Sequence, residues 1–224
     1  MITIGLDGFS KGWVAVTIDG DRRSIDFIGD ISWLATQRLT RAAIDIPIGL
    51  GDDGVRSCDQ LARKKLSPHG SRVFSGGRRW LWQEFSDPDL ANAEAVKRGQ
   101  KKVSRQLWHL GPKIMEVDGF VREHRDRDIR EAHPELVFLR LNDNQALPSK
   151  HTEQGLALRC RLLMANGFSD LDDWLTVRRA RTGAKRDDVL DACAVALAAR
   201  DCTGCVPEGE PLRDAQGLPM QIWF

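Results

Sequence analysis

MITIGLDGFSKGWVAVTI, residues 1–18, is the stretch that decides the fold. Residues 2–7 alternate between apolar side chains and small or polar ones, which is the period of a β-strand. Residues 8–12 have the composition of a turn, and residues 13–18 predict a second strand that returns antiparallel. Asp7 lies where the first strand ends. Because α/β sheets place their chemistry at strand ends, Asp7 is the first candidate for a functional group.

The composition is that of an ordinary globular protein. The chain has 224 residues, of which 42% are hydrophobic and 29% charged, and its net charge is +1. This length predicts one domain, with or without an insertion. No apolar run approaches the ~20 residues of a membrane span. No secretory signal precedes the first strand, so we expect no membrane association.

Cysteine usage predicts a cytoplasmic protein. The five cysteines are widely spaced and odd in number, which indicates free thiols in a reducing compartment. Cys202 and Cys205 form a lone CxxC pair without a second ligand pair nearby, and this disfavours a metal or redox role. Two basic runs, residues 97–105 and 178–186, are suited either to phosphate binding or to solvated helix and loop faces.

A second carboxylate interrupts a buried strand. After a third strand at residues 24–28 and a short helix at 31–37, residues 42–46 are nearly all apolar, as expected of a strand covered on both faces. Asp45 lies within this run, where desolvation of its carboxylate is costly unless it is paired or metal-bound. Pro47 cannot donate a hydrogen bond to a sheet, so Asp45 also marks a strand end.

The rest of the chain is mostly helical. The sequence patterns predict an irregular region at 67–86, a short strand at 128–132, an edge strand at 220–223, and helices at 55–66, 89–99, 103–125, 135–141, 152–166, 171–179 and 186–200. The Gly111-Pro112 pair is expected to break or kink the third of these helices.

This order of elements predicts an α/β protein with the RNase H-like fold. We expect a mixed five-stranded sheet in the order 3-2-1-4-5, flanked by helices. The chain is predicted to form a single domain over residues 1–224, with a helical insertion at about 51–125 after the fourth strand.

Four aspartates are predicted to form a metal site. In the RNase H-like fold the first strand lies beside the fourth, so Asp7 and Asp45 are expected side by side. The closing helix carries Asp188 and Asp191 in its first turns. These residues are three positions apart and share one helix face. Close carboxylates need a counter-charge, and hard oxygen ligands suit Mg²⁺ or Mn²⁺. Helix capping is the alternative explanation for acids at a helix start.

Such a cluster supports hydrolysis of phosphodiester bonds by two metal ions. Further acids and a proton-transferring histidine come from later segments of the chain. The predicted catalytic residues are Asp7, Asp45, Glu116, Glu131, His133 and Asp188. Three cations are candidates for holding a substrate phosphate, and ordinary surface charge is the alternative for each. These candidates are Arg63, Lys113 and Lys150.

Seven motifs in one order resemble a known family. They are GLDG at 5–8, IDIPIGL at 44–50, RSCD at 56–59, SRVF at 71–74, SRQLW to PKIMEVD at 104–118, EAHPE at 131–135 and DDVLDA at 187–192. The set is similar to the domain of unknown function 429 family, from Ile4 to about Gly204. The resemblance implies an RNase H-like nuclease fold. The positions it marks are Asp7, Asp45, Glu116, Asp118, Glu131, His133, Glu135, Asp187, Asp188 and Asp191. The sequence departs from the family pattern at Ser75 to Trp80 and at Arg105, where lysine is usual.

Three functions are compatible with the sequence. The first is a Mg²⁺- or Mn²⁺-dependent nuclease, with nucleic acid as its partner. The second is an ATP-binding phosphotransferase of the actin and sugar-kinase type, which opens with a similar acidic turn between strands. The third is a catalytically inactive RNase H-like binding protein, which the near-zero net charge favours. The oligomeric state is left open, with a homodimer as one option.

Overall fold

The computed structural model describes all residues from 1 to 224 and shows two compact units. The first unit contains residues 1–45, 126–204 and 223–224. The second unit contains residues 46–125 and 205–222. None of the helices is both long and apolar enough to span a membrane.

The strands form a mixed seven-stranded sheet in the order β3-β2-β1-β4-β5-β7-β6. Strands β1, β2 and β3 are antiparallel, whereas β1, β4 and β5 run parallel. The strand bounds are β1 Ile2–Phe9, β2 Gly12–Asp19, β3 Arg22–Ile28, β4 Arg41–Ile44, β5 Ile129–Ala132, β6 Cys205–Val206 and β7 Ile222–Trp223.

The predicted α/β class is confirmed, but the prediction of a five-stranded sheet is wrong in strand count and in complete order. The first five strands follow one another as 3-2-1-4-5, and two further strands of two residues each extend the sheet beyond β5. Strands this short show no alternation in the sequence. The predicted edge strand at 220–223 corresponds to β7, which lies between β5 and β6. The RNase H-like assignment stays a prediction.

The helices lie close to their predicted positions. In the second unit they are α1 Ser57–Lys65, α2 Arg79–Glu84, α3 Pro88–Lys97 and α4 Arg105–Glu123. In the first unit they are α5 Pro134–Leu141, α6 Glu153–Ala165, α7 Leu171–Asp173, which continues into a π-helical turn Trp174–Arg178, and α8 Arg186–Asp201. Short 3₁₀ helices occupy Ile31–Thr36 and Gly70–Arg72.

Two features of the second unit differ from the prediction. The region 67–86, expected to be irregular, contains α2. Helix α4 continues through Gly111-Pro112 without a break. The glycine has a packing reason, since a Cβ at Gly111 would lie only 2.0 Å from Nε1 of Trp82.

Helix α8 packs directly on β1 in the first unit. A Cβ at Gly5 would lie 2.1 Å from the backbone nitrogen of Ala196 and 2.6 Å from the carbonyl oxygen of Ala192. Backbone therefore packs on backbone, which requires glycine in the strand and small residues in the helix. Asp7 is two residues beyond Gly5 on the same face of the strand, about 7 Å along it. That distance is somewhat more than one turn of α8, about 5.4 Å, so Asp7 lies near the first turns of the helix.

We predict that Gly5→Ala lowers the free energy of unfolding by about 3 kcal/mol, because the added methyl group meets helix backbone that cannot rotate away. Urea denaturation followed by circular dichroism measures this loss. Gly29→Ala is the matched control, since a Cβ there has no neighbour within 4 Å. Equal midpoints for the two variants would contradict the close packing of α8 on β1.

Candidate functional site

Asp7 and Asp45 form the centre of an acidic site in the first unit. Asp45 directly follows β4, and its backbone N–H donates to the carbonyl oxygen of Leu6 at 3.0 Å. This bond continues the parallel ladder between β1 and β4, so the two carboxyl groups are neighbours across it. Their side chains share a hydrogen bond. Asp7 is only 8% exposed.

Helix α8 supplies two further carboxylates. Asp188 accepts a hydrogen bond from the backbone N–H of Lys185 at 2.6 Å, so it caps the start of the helix. Its negative charge nevertheless acts on Asp7. Asp191 lies one turn later, is 5% exposed, and its Oδ1 atom has no hydrogen-bond partner. An unpartnered buried carboxylate oxygen is costly, and it marks a place where a ligand or an ion would be accepted.

Lys150, from the loop between α5 and α6, neutralises part of this charge. Its Nζ atom lies 2.6 Å from Oδ2 of Asp191 and 3.6 Å from Oδ2 of Asp187. The pKa of Lys150 is raised, because these carboxylates outweigh the opposing effect of burial. The ammonium group therefore stays charged and holds the loop against the start of α8.

The aspartates titrate far from their ordinary range. Burial and then repulsion by Asp191, Asp45 and Asp188 raise the pKa of Asp7 well above its usual value. Burial raises the pKa of Asp45 to about 7, against the opposing effect of Lys150. Burial likewise raises the pKa of Asp191 to about 6, and it raises that of Asp188. The site thus carries more carboxylates than one lysine compensates.

The donor set suits a hard divalent cation, but the side-chain positions do not form a complete site. Carboxylate oxygens are the ligands that Mg²⁺ and Mn²⁺ prefer, and Asp191 offers an oxygen without a partner. Yet no three His, Cys, Asp or Glu side chains are grouped so that they could hold a metal ion. Lys150 occupies Oδ2 of Asp191, so a metal at this carboxylate requires a change of side-chain partners.

The EAHPE segment lies at the end of β5 in the same unit. Glu131, 7% exposed, pairs in register with Ile44, the residue before Asp45. Nδ1 of His133 accepts the backbone N–H of Glu135 at 3.2 Å, so the imidazole caps α5. Glu135 receives two hydrogen bonds from Nη2 of Arg159, at 2.8 and 2.9 Å.

The remaining predicted residues belong to the second unit. Arg63 is exposed and donates to Oγ of Ser75 at 2.9 Å, and Lys113 and Glu116 are half-buried on α4. Their predicted roles stay untested. Other charged residues of this unit pair among themselves: Asp118 is bound by Arg79 and Arg122, and Arg79 also binds Asp214.

Two partners in the site carried no recognisable signal in the sequence. Arg159 is fully buried and lies 24 residues from Glu135, which it neutralises. Lys150 lies 41 residues from Asp191 and was predicted to bind phosphate, with no indication of an ion pair to the cluster. Neither pair has a local spacing rule, because each depends on how a loop folds back onto α8 or α5.

Comparison with known proteins identifies the family. The family model described as Protein of unknown function (DUF429) matches residues 5–211. No curated protein and no solved structure matches the chain. The chain therefore belongs to the DUF429 family, and the resemblance inferred from its motifs is confirmed. The matched region includes all four aspartates of the acidic site.

The raised pKa values predict a stability that falls as pH rises from 5 to 8. In this interval the folded chain keeps protons that the unfolded chain has released, so unfolding becomes easier with increasing pH. For each unit by which folding raises a pKa, the free energy of unfolding is lower by about 1.4 kcal/mol at pH values above the pKa of the folded state. Carboxylates with lowered pKa values lose their contribution only below about pH 4.

Urea denaturation in EDTA at pH 5 and at pH 8 tests this prediction. We expect Asp45→Asn to reduce the difference between the two midpoints. Asp26→Asn is the matched control, because Asp26 is exposed on β3. A wild-type midpoint that is higher at pH 8 than at pH 5 would contradict the assignment.

Removal of the lysine is predicted to destabilise the site selectively at high pH. Lys150→Met leaves Asp191 buried without its cation, which costs about 1–3 kcal/mol at pH 8, since the lysine is partly exposed. The loss should shrink at pH 5, where Asp191 is protonated. Chemical denaturation measures both values, and Lys64→Met on an exposed position of α1 is the control. A loss independent of pH would indicate lost packing instead of a lost ion pair.

Proposed function

We propose that this protein is a Mg²⁺- or Mn²⁺-dependent nuclease that hydrolyses phosphodiester bonds at the acidic site. The observation that carries the proposal is the gathering of Asp7, Asp45, Asp188 and Asp191 from three elements around one buried strand end, with raised pKa values. Such a cluster lowers stability, because each charge must be desolvated beside the others. A functional role explains why the fold carries this cost.

The four aspartates would hold the two divalent cations of the predicted site, and Asp7, on which the other three carboxylates act, would be its central residue. A bound divalent cation would supply an activated water and would stabilise charge on the leaving oxygen. Lys150 would then release Asp191 and bind a phosphate oxygen of the substrate, which is the role predicted for it from the sequence. Glu131 and His133, at the end of β5, are the proposed groups for moving protons.

A catalytically inactive binding protein is the second candidate. It is favoured by the ion pair between Lys150 and Asp191 and by the lack of a three-residue metal group in the present side-chain positions. No observation in the structure favours the ATP-binding phosphotransferase. For the nuclease we propose nucleic acid as the partner and the cytoplasm as the location, in keeping with five free cysteines.

A cleavage assay with Mg²⁺ or Mn²⁺ tests the proposal on single-stranded, duplex, hybrid and branched DNA and RNA. We expect cleavage of at least one substrate, its loss in EDTA, and a decrease of about 100-fold or more in Asp7→Asn. This variant should unfold at a temperature no lower than wild type, because it replaces a buried carboxyl group, whose ionisation burial and neighbouring carboxylates oppose, by a neutral amide.

Asp26→Asn, which also removes one β-strand carboxylate, should cleave like wild type. Thermal unfolding with Mn²⁺ separates the two candidates, since a cation bound by the folded chain raises the melting temperature. Absence of cleavage on every substrate, together with no Mn²⁺-induced stabilisation, would rule out the nuclease and leave the binding protein.

A further inference from the structure

We propose that a basic patch beside the acidic site is the surface on which the phosphodiester backbone of a nucleic acid lies. The patch consists of Lys11 in the β1–β2 turn and of Arg181, Lys185 and Arg186 before and at the start of α8. The choice of nucleic acid as ligand rests on the proposed function. Arg181, Lys185 and Arg186 belong to the basic run 178–186, for which the sequence left phosphate binding and a solvated face open, whereas Lys11 was not a predicted phosphate ligand.

The two chain segments of the patch meet at Gly183. A Cβ at this position would lie 3.4 Å from Cδ and Cε of Lys11 and 3.7 Å from its Nζ. The lysine therefore lies along the loop that precedes α8, and its charge adds to those of the loop. This juxtaposition of residues far apart in the sequence makes a continuous cationic surface from a hairpin turn and a loop.

The patch adjoins the acidic site directly. The backbone N–H of Lys185 donates to Asp188, and Arg186 lines a cavity together with Lys150, Asp187 and Asp191. Two buried atoms of residues around this cavity have no hydrogen-bond partner, namely Oδ1 of Asp191 and Nε of Arg159. A ligand that crosses the patch thus arrives at the carboxylates of the proposed catalytic centre.

The loop is held in one shape by its own hydrogen bonds. Arg179 donates from Nε to the carbonyl oxygen of Leu175 at 2.9 Å and from Nη1 to that of Ala184 at 3.0 Å. Thr182 donates to the carbonyl oxygen of Arg179 at 2.8 Å and accepts from the N–H of Ala184 at 3.0 Å. Arg181 has a left-handed φ of 68°, which directs the chain around this turn. A pre-ordered loop loses little entropy when a ligand binds.

The cations of the patch form no close ion pair, unlike three of the other basic run, although the charge of Lys185 acts on Asp188. In residues 97–105, Lys97 pairs with Glu94, Arg98 pairs with Glu94 and Glu84, and Arg105 pairs with Asp89. No ion pair involves Lys11, Arg181, Lys185 or Arg186. Lys101 and Lys102 of that run form no ion pair either, so what distinguishes the patch is that its unpaired cations lie beside the acidic site, where they attract an anion.

The chemistry of the patch fits phosphate groups in a chain. Guanidinium groups bind phosphate in a bidentate manner, and a row of cations follows a polyanion better than a single anion. An anionic backbone that approaches the four aspartates is repelled, so cations next to them are needed to hold it there. The small size of the patch suits contacts to about three phosphates. On a single strand, each such contact contributes about 0.7 to the slope of log K against log salt concentration.

Fluorescence anisotropy of wild-type protein in EDTA, with labelled single-stranded DNA, single-stranded RNA and duplex DNA, tests this inference at several salt concentrations. The patch variant combines Lys11→Gln, Arg181→Asn and Lys185→Gln; asparagine tolerates the left-handed backbone. The matched control combines Lys97→Gln, Lys101→Gln and Lys102→Gln, which removes the same charge at exposed positions. Melting temperatures verify folding, and Lys11→Gln alone is a second variant at an exposed turn.

We expect the patch variant to bind at least about 10-fold more weakly and to reduce the slope of log K against log salt by about 2, with less than about a 2-fold effect in the control. The three nucleic acids show which form is preferred. Equal weakening in both triple variants, no binding by wild type, or tighter binding to anionic lipid vesicles or polyglutamate would overturn the inference. Patch-dependent binding without any cleavage would support the inference while the proposed nuclease activity fails.

Discussion

The contact between the backbone of Gly5 and the backbone of α8 sets the geometry on which the acidic site depends. Because no side chain separates strand and helix at this point, the helix has one position along the strand. Ala192 and Ala196 flank the contact, so the preceding turn of the helix, which carries Asp188 and Asp191, lies beside Asp7. A bulkier residue at Gly5 would displace the helix and separate the carboxylates.

The same geometry makes the site unfavourable for stability. Asp7 and Asp191 are nearly buried, and burial raises their pKa values. Repulsion by neighbouring carboxylates, Asp191 on Asp7 and Asp45 on Asp191, adds to the rise. Lys150 offsets part of this repulsion but leaves one oxygen of Asp191 without a partner. A core built only for stability would place apolar residues there. This unfavourable arrangement is what the proposed binding or catalytic role would explain.

Ion pairs distinguish the charged residues that stabilise the fold from those whose charges can act on a ligand. In the second unit, Asp118 and Asp214 share Arg79, and Arg56 pairs with Asp59 at 3.0 Å, so these charges are satisfied within the fold. Lys97 and Arg98 of the first basic run are likewise paired with Glu94. At the start of α8, carboxylates lie towards Asp7, and cations that form no close ion pair lie towards Lys11.

The sequence by itself determined β1, the buried strand that ends at Asp45 and the apolar closing helix, because each has a local period or composition. The neighbourhood of Asp7 and Asp45 followed from the expected order of parallel strands. The tertiary structure alone decided that Lys150 pairs with Asp191, that Arg159 neutralises Glu135, and that two-residue strands extend the sheet. These contacts join residues far apart in the chain, and they depend on the path of loops, for which local sequence carries no rule.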